Sequence, residues 1–233
     1  MNNLNDRLQQ VRLEVAEAER QFGREPGSVK LLAVSKTQKA ADVLALAQLG
    51  VSDFGENYVQ EARAKIGQLS GNSLTWHFIG PIQSNKTRQI AEHFDWVHSV
   101  DRIRVAERLN AARSPDLPPL NICIQVNVDA ESTKSGVGPD EVEQLAEQIL
   151  PLPRLKLRGL MALPAPTNDF AEQRRGFLRT RRLQEQLMDK GYRLDTLSMG
   201  TTNDMRAAVA EGATIIRIGT ALFGPRTRWP PPA

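Results

Sequence analysis

The segment VKLLAVSKTQKAADVLALAQLGVSDF, residues 29–54, contains the pattern that decides the fold. A short apolar run at 29–35 is followed by the helical pattern ADVLALAQLG and then by a second short run at 51–54. Short runs of this kind, without regular polar alternation, are typical of strands that are buried on both faces. The segment therefore predicts a strand, a helix and a second strand parallel to the first.

The same unit recurs along the chain. Seven helical patterns separate eight candidate strands, at 29–35, 51–54, 74–79, 95–100, 120–128, 155–161, 193–199 and 214–219. Eight strands in 233 residues, with no long polar linker, favour an α/β fold of the closed (β/α)8 TIM-barrel type. The alternative is an open doubly wound sheet. We expect one domain over residues 1–233, with a frayed proline-rich tail at 226–233.

Residues 1–22 are predicted to contain an extra helix. Apolar residues recur at spacings of three and four before Gly23, which marks the end of the pattern. They are Leu4, Leu8, Val11, Val15, Ala18 and Phe22. Because this helix precedes the first strand, we expect it to pack on the outside of the barrel.

Composition indicates a cytoplasmic protein. The chain is 40% hydrophobic, and no apolar run approaches the roughly 20 residues that span a bilayer. The polar, charged beginning does not resemble a secretory signal. The single cysteine, Cys123, lies in an apolar run, which suits a reducing compartment. We therefore expect neither a membrane nor a disulfide.

Basic residues do not indicate nucleic-acid binding. The net charge is only +3, and a group of arginines falls on one predicted helix with few aromatic residues. They are Arg174, Arg175, Arg179, Arg181 and Arg182. A solvated helix face accounts for them better than a nucleic-acid surface does.

Chemistry in such barrels lies at the carboxyl ends of the strands. Lys36 follows the first strand in LLAVSKTQ and is either a Schiff-base amine or an ordinary surface lysine. Strands seven and eight end in LSMGTTNDM and IRIGTALFG, whose small and hydroxyl residues are typical of phosphate-binding turns. An amine on one side of the mouth and a phosphate site on the other predict a pyridoxal phosphate cradle.

Arg217 lies within the eighth strand and has two interpretations. It either pairs with a carboxylate in the core or faces the pyridine nitrogen of the cofactor. A cation at that nitrogen keeps the nitrogen unprotonated and weakens the ring as an electron sink.

Motifs along nearly the whole chain carry a family resemblance. They are LLAVSKT (31–37), FGENYVQE (54–61), WHFIGPIQSNK (76–86), TKSGV (133–137), GLMALPAP (159–166), SMG (198–200) and EGATIIRIGTALFG (211–224). Together they resemble the pyridoxal phosphate homeostasis proteins, which are similar to the N-terminal barrel of alanine racemase standing alone. The resemblance implies a fold type III barrel with pyridoxal phosphate as its cofactor.

The resemblance also implies roles for individual residues. Lys36 would carry the Schiff base and Arg217 would meet the pyridine nitrogen. Lys134 would contact or transfer the cofactor. His77 matches a strand-three histidine at the barrel mouth, with a purely structural role as its alternative. The other implied contacts are Asn57, Met199 and Gly200 of the SMG motif, Thr202, Gly219 and Thr220. No metal is implied.

Two positions depart from the family pattern. Thr201 and Thr202 follow SMG where the family commonly has Met-Ser, and they keep the hydroxyl but add β-branching. Gln38 stands where the family often has a second lysine, so a cation near the cofactor is lost.

Three functions are compatible with these residues. The first is binding of pyridoxal phosphate for homeostasis and delivery to apo-enzymes, with little or no catalysis. The second is a racemase, which needs bases on both faces of the cofactor. Only Tyr58 and Tyr192 could supply a phenol as the second base, and the chain ends at its eighth strand–helix unit. We therefore expect no racemisation. Because racemase-like barrels pair through a second domain, we also expect a monomer. The third is an interaction module with a vestigial site.

Overall fold

The fold is a closed barrel of eight parallel strands in a computed structural model that describes residues 3–129 and 135–224. The strands are β1 (Lys30–Val34), β2 (Asp53–Glu56), β3 (Thr75–Phe78), β4 (Trp96–Val100), β5 (Leu120–Val126), β6 (Leu155–Ala162), β7 (Thr196–Ser198) and β8 (Ile215–Ile218). Each strand pairs with the next, and β8 returns to β1 with Lys30 opposite Ile215. The barrel prediction is therefore confirmed, and the open-sheet alternative is wrong.

Helices alternate with the strands. They are α1 (Leu4–Gln21), α2 (Ala40–Gln48), α3 (Val59–Gln68), α4 (Thr87–His93), α5 (Ile103–Ala112), α6 (Val142–Ile149), α7 (Phe170–Asp189), α8 (Met205–Ala210) and α9 (Thr220–Phe223). Short 3-10 turns, Ser84–Lys86 and Pro139–Glu141, precede α4 and α6. Within the described part of the chain, no helix is both long and apolar enough to cross a membrane.

Apolar side chains form two separate clusters. The large one lies between the strands and the helices and includes Phe54 and Val97, which are fully buried. The small one consists of Trp96, Cys123 and Met161, which alternate with outward-facing neighbours along β4, β5 and β6. Successive strand residues point to opposite faces, so this small cluster fills part of the barrel interior. The burial predicted for Cys123 is confirmed, and burial raises the pKa of its thiol to about 12.

The predicted N-terminal helix is present as α1. The Asn3 side chain caps its beginning by accepting a hydrogen bond from the backbone N–H of Asp6, and the Asp6 carboxylate accepts one from the backbone N–H of Asn3. Its buried stripe includes Leu8 and Val11, and the helix packs on the outside of the barrel against α8 and α9. Those are the helices that follow β7 and β8, so α1 supports the side of the barrel where the phosphate turns are predicted.

The arginines of α7 are largely paired with carboxylates. Arg174 and Arg181 meet Glu211, Arg175 meets Glu172, and Arg179 meets Asp129. This arrangement is typical of a solvated helix face that also ties α7 to its neighbours.

Candidate functional site

A cavity of about 340 Å³ opens at the carboxyl ends of the strands. It contains six of the residues predicted from the sequence: Lys36, Asn57, Thr202, Arg217, Gly219 and Thr220. Its volume lies in the range of pockets that hold small molecules. The barrel thus brings residues from β1, β2, β7 and β8, far apart in sequence, to one opening.

Lys36 enters the cavity from the turn after β1 and is half-buried. Gln38, which replaces the second lysine of the family pattern, lines the same cavity. An amide there can accept as well as donate hydrogen bonds but carries no charge. The side chain at position 38 therefore presents a neutral group to the cavity.

Asn57 follows β2 and presents a buried side-chain oxygen. This Oδ1 atom has no hydrogen-bond partner among the described residues, and Asn57 lines the cavity. A buried unpaired acceptor costs free energy, so a bound donor is expected to meet it.

Gly80 makes the position of Asn57 possible and was not predicted as a site residue. A Cβ atom on Gly80 would lie 2.4 Å from the backbone oxygen of Asn57, which is far inside van der Waals contact. The glycine lets the loop after β3 pass directly against the end of β2. The signal in the sequence is the glycine within the family motif WHFIGPIQSNK.

Two turns form the opposite side of the cavity. Gly219 and Thr220 begin α9, where the first backbone N–H groups of a helix lack partners within it. Thr202 is exposed in the turn before α8. Thr201 is committed to the turn itself, because its backbone N–H and its hydroxyl both donate to Asp204, at 2.5 and 2.8 Å. Of the two threonines, Thr202 is the one whose hydroxyl is available to an anion.

Met199 and Gly200 do not line this cavity. Met199 is fully buried in the large apolar cluster. Gly200 has a φ of 95°, and a Cβ there would lie 2.6 Å from the Cβ of Ala208. It lines a neighbouring cavity of about 380 Å³ that also contains Arg217. Met199 and Gly200 of the SMG motif are therefore explained by packing between β7 and α8.

Arg217 is almost completely buried beneath both cavities. Its NH1 donates to the backbone oxygen and the hydroxyl of Ser198, at 2.5 and 2.8 Å, and its NH2 donates to the backbone oxygen of Ala162 at 2.9 Å. Burial lowers the pKa of the guanidinium to about 10, so it remains charged at neutral pH. No carboxylate lies within ion-pair distance among residues 3–129 and 135–224, so the core-pairing interpretation is wrong for the described chain.

The prediction that His77 lies at the barrel mouth is wrong. His77 is fully buried, its Nε2 lies 3.0 Å from Asp53 Oδ1, and its Nδ1 lies 2.9 Å from His98 Nε2. Asp53 is the first residue of β2, so His77 points toward the amino-terminal half of the barrel interior. Ile79, two residues later, reaches the cavity instead. The structural alternative for His77 is the one that fits.

A polar chain crosses the barrel interior from Arg217 to Asp53. Ser198 is within 2.7 Å of His98 Nδ1, and Lys30 pairs with Asp53 at the far end. Ionised Asp53 only accepts, so each of the two neutral histidines carries its proton on Nε2. His98 Nδ1 then accepts from the hydroxyl of Ser198, whose oxygen accepts from Arg217. His98 Nε2–H then donates to His77, whose Nε2–H donates to Asp53. Sequence reasoning missed Asp53, His98 and Ser198 as members of this chain, because their contact exists only once the barrel closes.

The pKa values of the ionisable groups agree with hydrogen bonds that run from Arg217 toward Asp53. Burial lowers the pKa of both histidines, and that of His98 falls well below its ordinary value. Burial works to raise the pKa of Asp53, but hydrogen bonds from His77, Ser52 and Lys30 outweigh it and hold that pKa well below its ordinary value. Two neutral histidines therefore lie between a cation at the cavity and an anion at the opposite end.

The remaining candidates lie elsewhere. Lys134 falls outside the described residues. Tyr58 has 57% of its surface exposed beside Asn57. Tyr192 lines a groove with Leu155, the first residue of β6, at the opposite end of the barrel.

Comparison with known proteins agrees with this geometry. The family model described as alanine racemase, N-terminal domain, matches residues 7–227. The pyridoxal phosphate homeostasis protein of Pseudomonas aeruginosa is 54% identical over 226 residues, covering 97% of each chain. The protein of that name from Escherichia coli is 47% identical over 229 residues, covering 97% of this chain and 98% of the relative.

Solved structures agree as well. PipY from Synechococcus elongatus, solved with PLP bound, has a TM-score of 0.79 and 39% identity, and the match covers 90% of this chain and all of PipY. Alanine racemase from Corynebacterium glutamicum shares the fold, with a TM-score of 0.65 at 18% identity over 91% of this chain and 60% of the racemase. The chain belongs to the family of pyridoxal phosphate homeostasis proteins, which have the barrel of the alanine racemase N-terminal domain.

Proposed function

We propose that this protein binds pyridoxal 5'-phosphate as a Schiff base on Lys36 and serves in the homeostasis and delivery of that cofactor. The observation that carries the proposal is one cavity that joins an amine, an unpaired acceptor, a buried cation and two turns rich in hydroxyl and small residues. The names of the relatives and the PLP bound to PipY support the same ligand.

Each side of the cavity fits one part of the ligand. The Lys36 amine would hold the aldehyde carbon covalently. Asn57 Oδ1 would accept a hydrogen bond from a ring substituent, and Thr202, Gly219 and Thr220 would bind the phosphate through hydroxyl and N–H groups. When bound, pyridoxal phosphate supplies an electrophilic aldehyde and an electron-withdrawing ring.

Arg217 favours binding over carbanion chemistry. A guanidinium only donates hydrogen bonds, so at the ring nitrogen it would donate to the nitrogen lone pair and keep that nitrogen unprotonated. The electron-withdrawing power of the ring is then reduced. The committed hydrogen bonds of Arg217 to Ser198 and Ala162 fix its position.

The same site disfavours a racemase. Tyr192 lies at the far end of the barrel, and the exposed Tyr58 does not line the cavity of Lys36. We therefore propose that the protein has no racemase activity of its own. We also propose that it is a cytoplasmic monomer with one domain and that it passes its cofactor to apo-enzymes. Purified protein should give no deuterium exchange at the α-carbon of alanine, and robust exchange would restore the racemase interpretation.

Borohydride trapping tests the central proposal. After reduction of the protein with pyridoxal phosphate, peptide mass spectrometry should find the pyridoxyl group on Lys36. Lys36→Ala should be colourless and unlabelled at that peptide, because no other amine lines the described cavity. Lys39→Ala, which removes an exposed lysine three residues away, is the matched control and should remain yellow. A yellow Lys36→Ala protein with an adduct elsewhere would contradict the assignment.

Delivery is tested separately. Loaded protein is mixed with an apo-enzyme that depends on pyridoxal phosphate, and the absorbance of the carrier and the activity of the recipient are followed together. Faster activation than an equal concentration of free cofactor gives is the expected result for delivery by contact.

A further inference from the structure

The turn that carries Lys36 contains an unusual backbone conformation. Thr37 has a φ of 66°, and among the described residues it is the only one other than glycine with a positive φ. A β-branched residue rarely adopts this left-handed region, and such strain persists only where the surroundings hold it. The strained residue directly follows the amine of the candidate site.

Two residues of α3 hold this turn. Glu61 Oε1 accepts a hydrogen bond from the backbone N–H of Thr37 at 2.5 Å. The same oxygen accepts from Lys65 Nζ at 2.6 Å, and Lys65 Nζ also donates to the backbone oxygen of Ser35 at 2.6 Å. The backbone is therefore held on both sides of Lys36, at Ser35 before it and at Thr37 after it.

The Lys65 side chain is buried, and its ammonium nitrogen has a full set of hydrogen bonds. Its third hydrogen bond goes to Glu56 Oε1 at 2.8 Å, so all three ammonium donors are used. Glu56, which is fully buried, also accepts from the hydroxyl of Ser35 at 2.6 Å. Buried ion pairs are costly, and apolar residues of similar volume often stabilise a fold as well or better. Stability alone does not account for placing these charges here.

We propose that Glu61 and Lys65 are positioning residues for Lys36, holding the strained turn so that the Lys36 amine points into the cavity. This inference rests on the proposed function, in which that amine carries the cofactor. It also gives Glu61 and its neighbour Glu56 a role near the site, although Asn57 is the only residue of 54–61 that lines the cavity.

Loss of the Glu61 carboxylate would release the turn that holds Lys36. Without an acceptor for its N–H, residue 37 can relax to a negative φ, which rotates the peptide planes on either side of Lys36. The amine then samples directions outside the cavity, so covalent capture slows and the cofactor is held less tightly.

The test measures the rate of covalent attachment of pyridoxal phosphate to Lys36, trapped by borohydride and counted by mass spectrometry. Glu61→Leu should slow attachment and weaken binding by about tenfold, which corresponds to one lost hydrogen bond to a charged acceptor. Glu61→Gln keeps the oxygen acceptor and should remain within about threefold of the natural protein. Gln60→Leu, an exposed neighbour on the same helix, is the matched control and should change nothing.

Glycine at position 37 provides the rescue. Glycine adopts a positive φ without strain, so Thr37→Gly in the Glu61→Leu background should recover most of the lost rate. Because glycine also relieves strain in the folded state, urea denaturation of both variants shows whether the recovered rate exceeds what a gain in overall stability would give. If Glu61→Leu does not fold, Glu61→Asp takes its place, because it keeps the charge but withdraws the oxygen from Thr37.

The outcomes separate the two proposals. Absence of an adduct on Lys36 in the natural protein would overturn the proposed function itself. An adduct on Lys36 whose rate is unchanged in the Glu61 variants, or is not recovered by Thr37→Gly, would overturn only the positioning roles of Glu61 and Lys65.

Discussion

At the scale of single residues, glycines show most clearly what the sequence predicts and what only the structure explains. The sequence places Gly200 in a predicted phosphate turn, and the structure shows that the residue is required by packing against Ala208. Gly80, which the sequence did not indicate as a site residue, is the glycine that lets two loops meet at Asn57. A glycine is visible in the sequence, but the atom that would collide with its missing Cβ is not.

Gly200 and Gly191 make a matched pair for measuring this effect. Both have a φ of 95°, but a Cβ meets Ala208 at 2.6 Å in the first case and nothing within 4 Å in the second. We expect Gly191→Ala to lower the free energy of unfolding by about 1 kcal/mol, the cost of the left-handed backbone alone. Gly200→Ala should cost about 3 kcal/mol, because overpacking is added. Urea denaturation of both variants measures the difference, and equal losses would show that the contact with Ala208 relaxes freely.

At the scale of elements, the alternation of strands and helices was predictable because it depends on local patterns. The eight strands follow from short apolar runs and the N-terminal helix from apolar periodicity, although several strands are shorter than predicted. The run at 193–199 gives a strand only at Thr196–Ser198. His77 shows what a local pattern does not contain. Its strand is correct, but the depth of a side chain inside a closed barrel depends on the stagger of neighbouring strands, which no single strand encodes.

The helix α1 permits a test at this scale. Leu8 is fully buried where α1 packs on α8 and α9, and Leu13 on the same helix is 60% exposed. Leu8→Ala should lower the free energy of unfolding by about 3 kcal/mol, as large-to-small changes in a core do. Leu13→Ala should cost less than about 0.5 kcal/mol. Thermal and urea unfolding of the two variants give the comparison, and similar losses would mean that α1 is not docked in solution as described.

At the scale of the whole molecule, the barrel interior is unusual because a hydrogen-bonded chain connects its two ends. Arg217 at the cavity and Asp53 at the opposite end carry charges, and Ser198, His98 and His77 link them. Trp96 stacks on His77 with ring centroids 5.5 Å apart, which holds the imidazole in place. Four strands contribute to this chain besides β8, so only the closed topology could reveal it.

The chain makes stability depend on pH in a definite direction. Burial lowers the pKa of His77 and His98 in the folded protein, whereas both return to about 6.5 on unfolding. Below that pH the unfolded state binds more protons than the folded state, so stability is present above about pH 6.5 and is lost as the pH falls. The loss should be on the order of 1 kcal/mol per pH unit for each histidine. The lowered pKa of Asp53 adds a loss of the same sign at still lower pH.

The histidines themselves can be observed directly. The protein has three, and the third, His93, places its Nδ1 2.9 Å from the backbone oxygen of Gln89, which requires a proton on that nitrogen. Nitrogen-15 spectra of histidine-labelled protein should therefore show His77 and His98 protonated at Nε2 and His93 protonated at Nδ1. Because burial lowers the pKa of both side chains, His77 and His98 should take up protons only at a lower pH than a free histidine does. His98→Gln should keep the chain, because an amide can accept from Ser198 and donate to His77, while its unfolding free energy loses less on acidification. Protonation of His77 or His98 at Nδ1 in the natural protein would show that the hydrogen bonds run in the opposite direction. If the unfolding free energy of His98→Gln fell with acidification as steeply as that of the natural protein, the acid sensitivity would arise elsewhere.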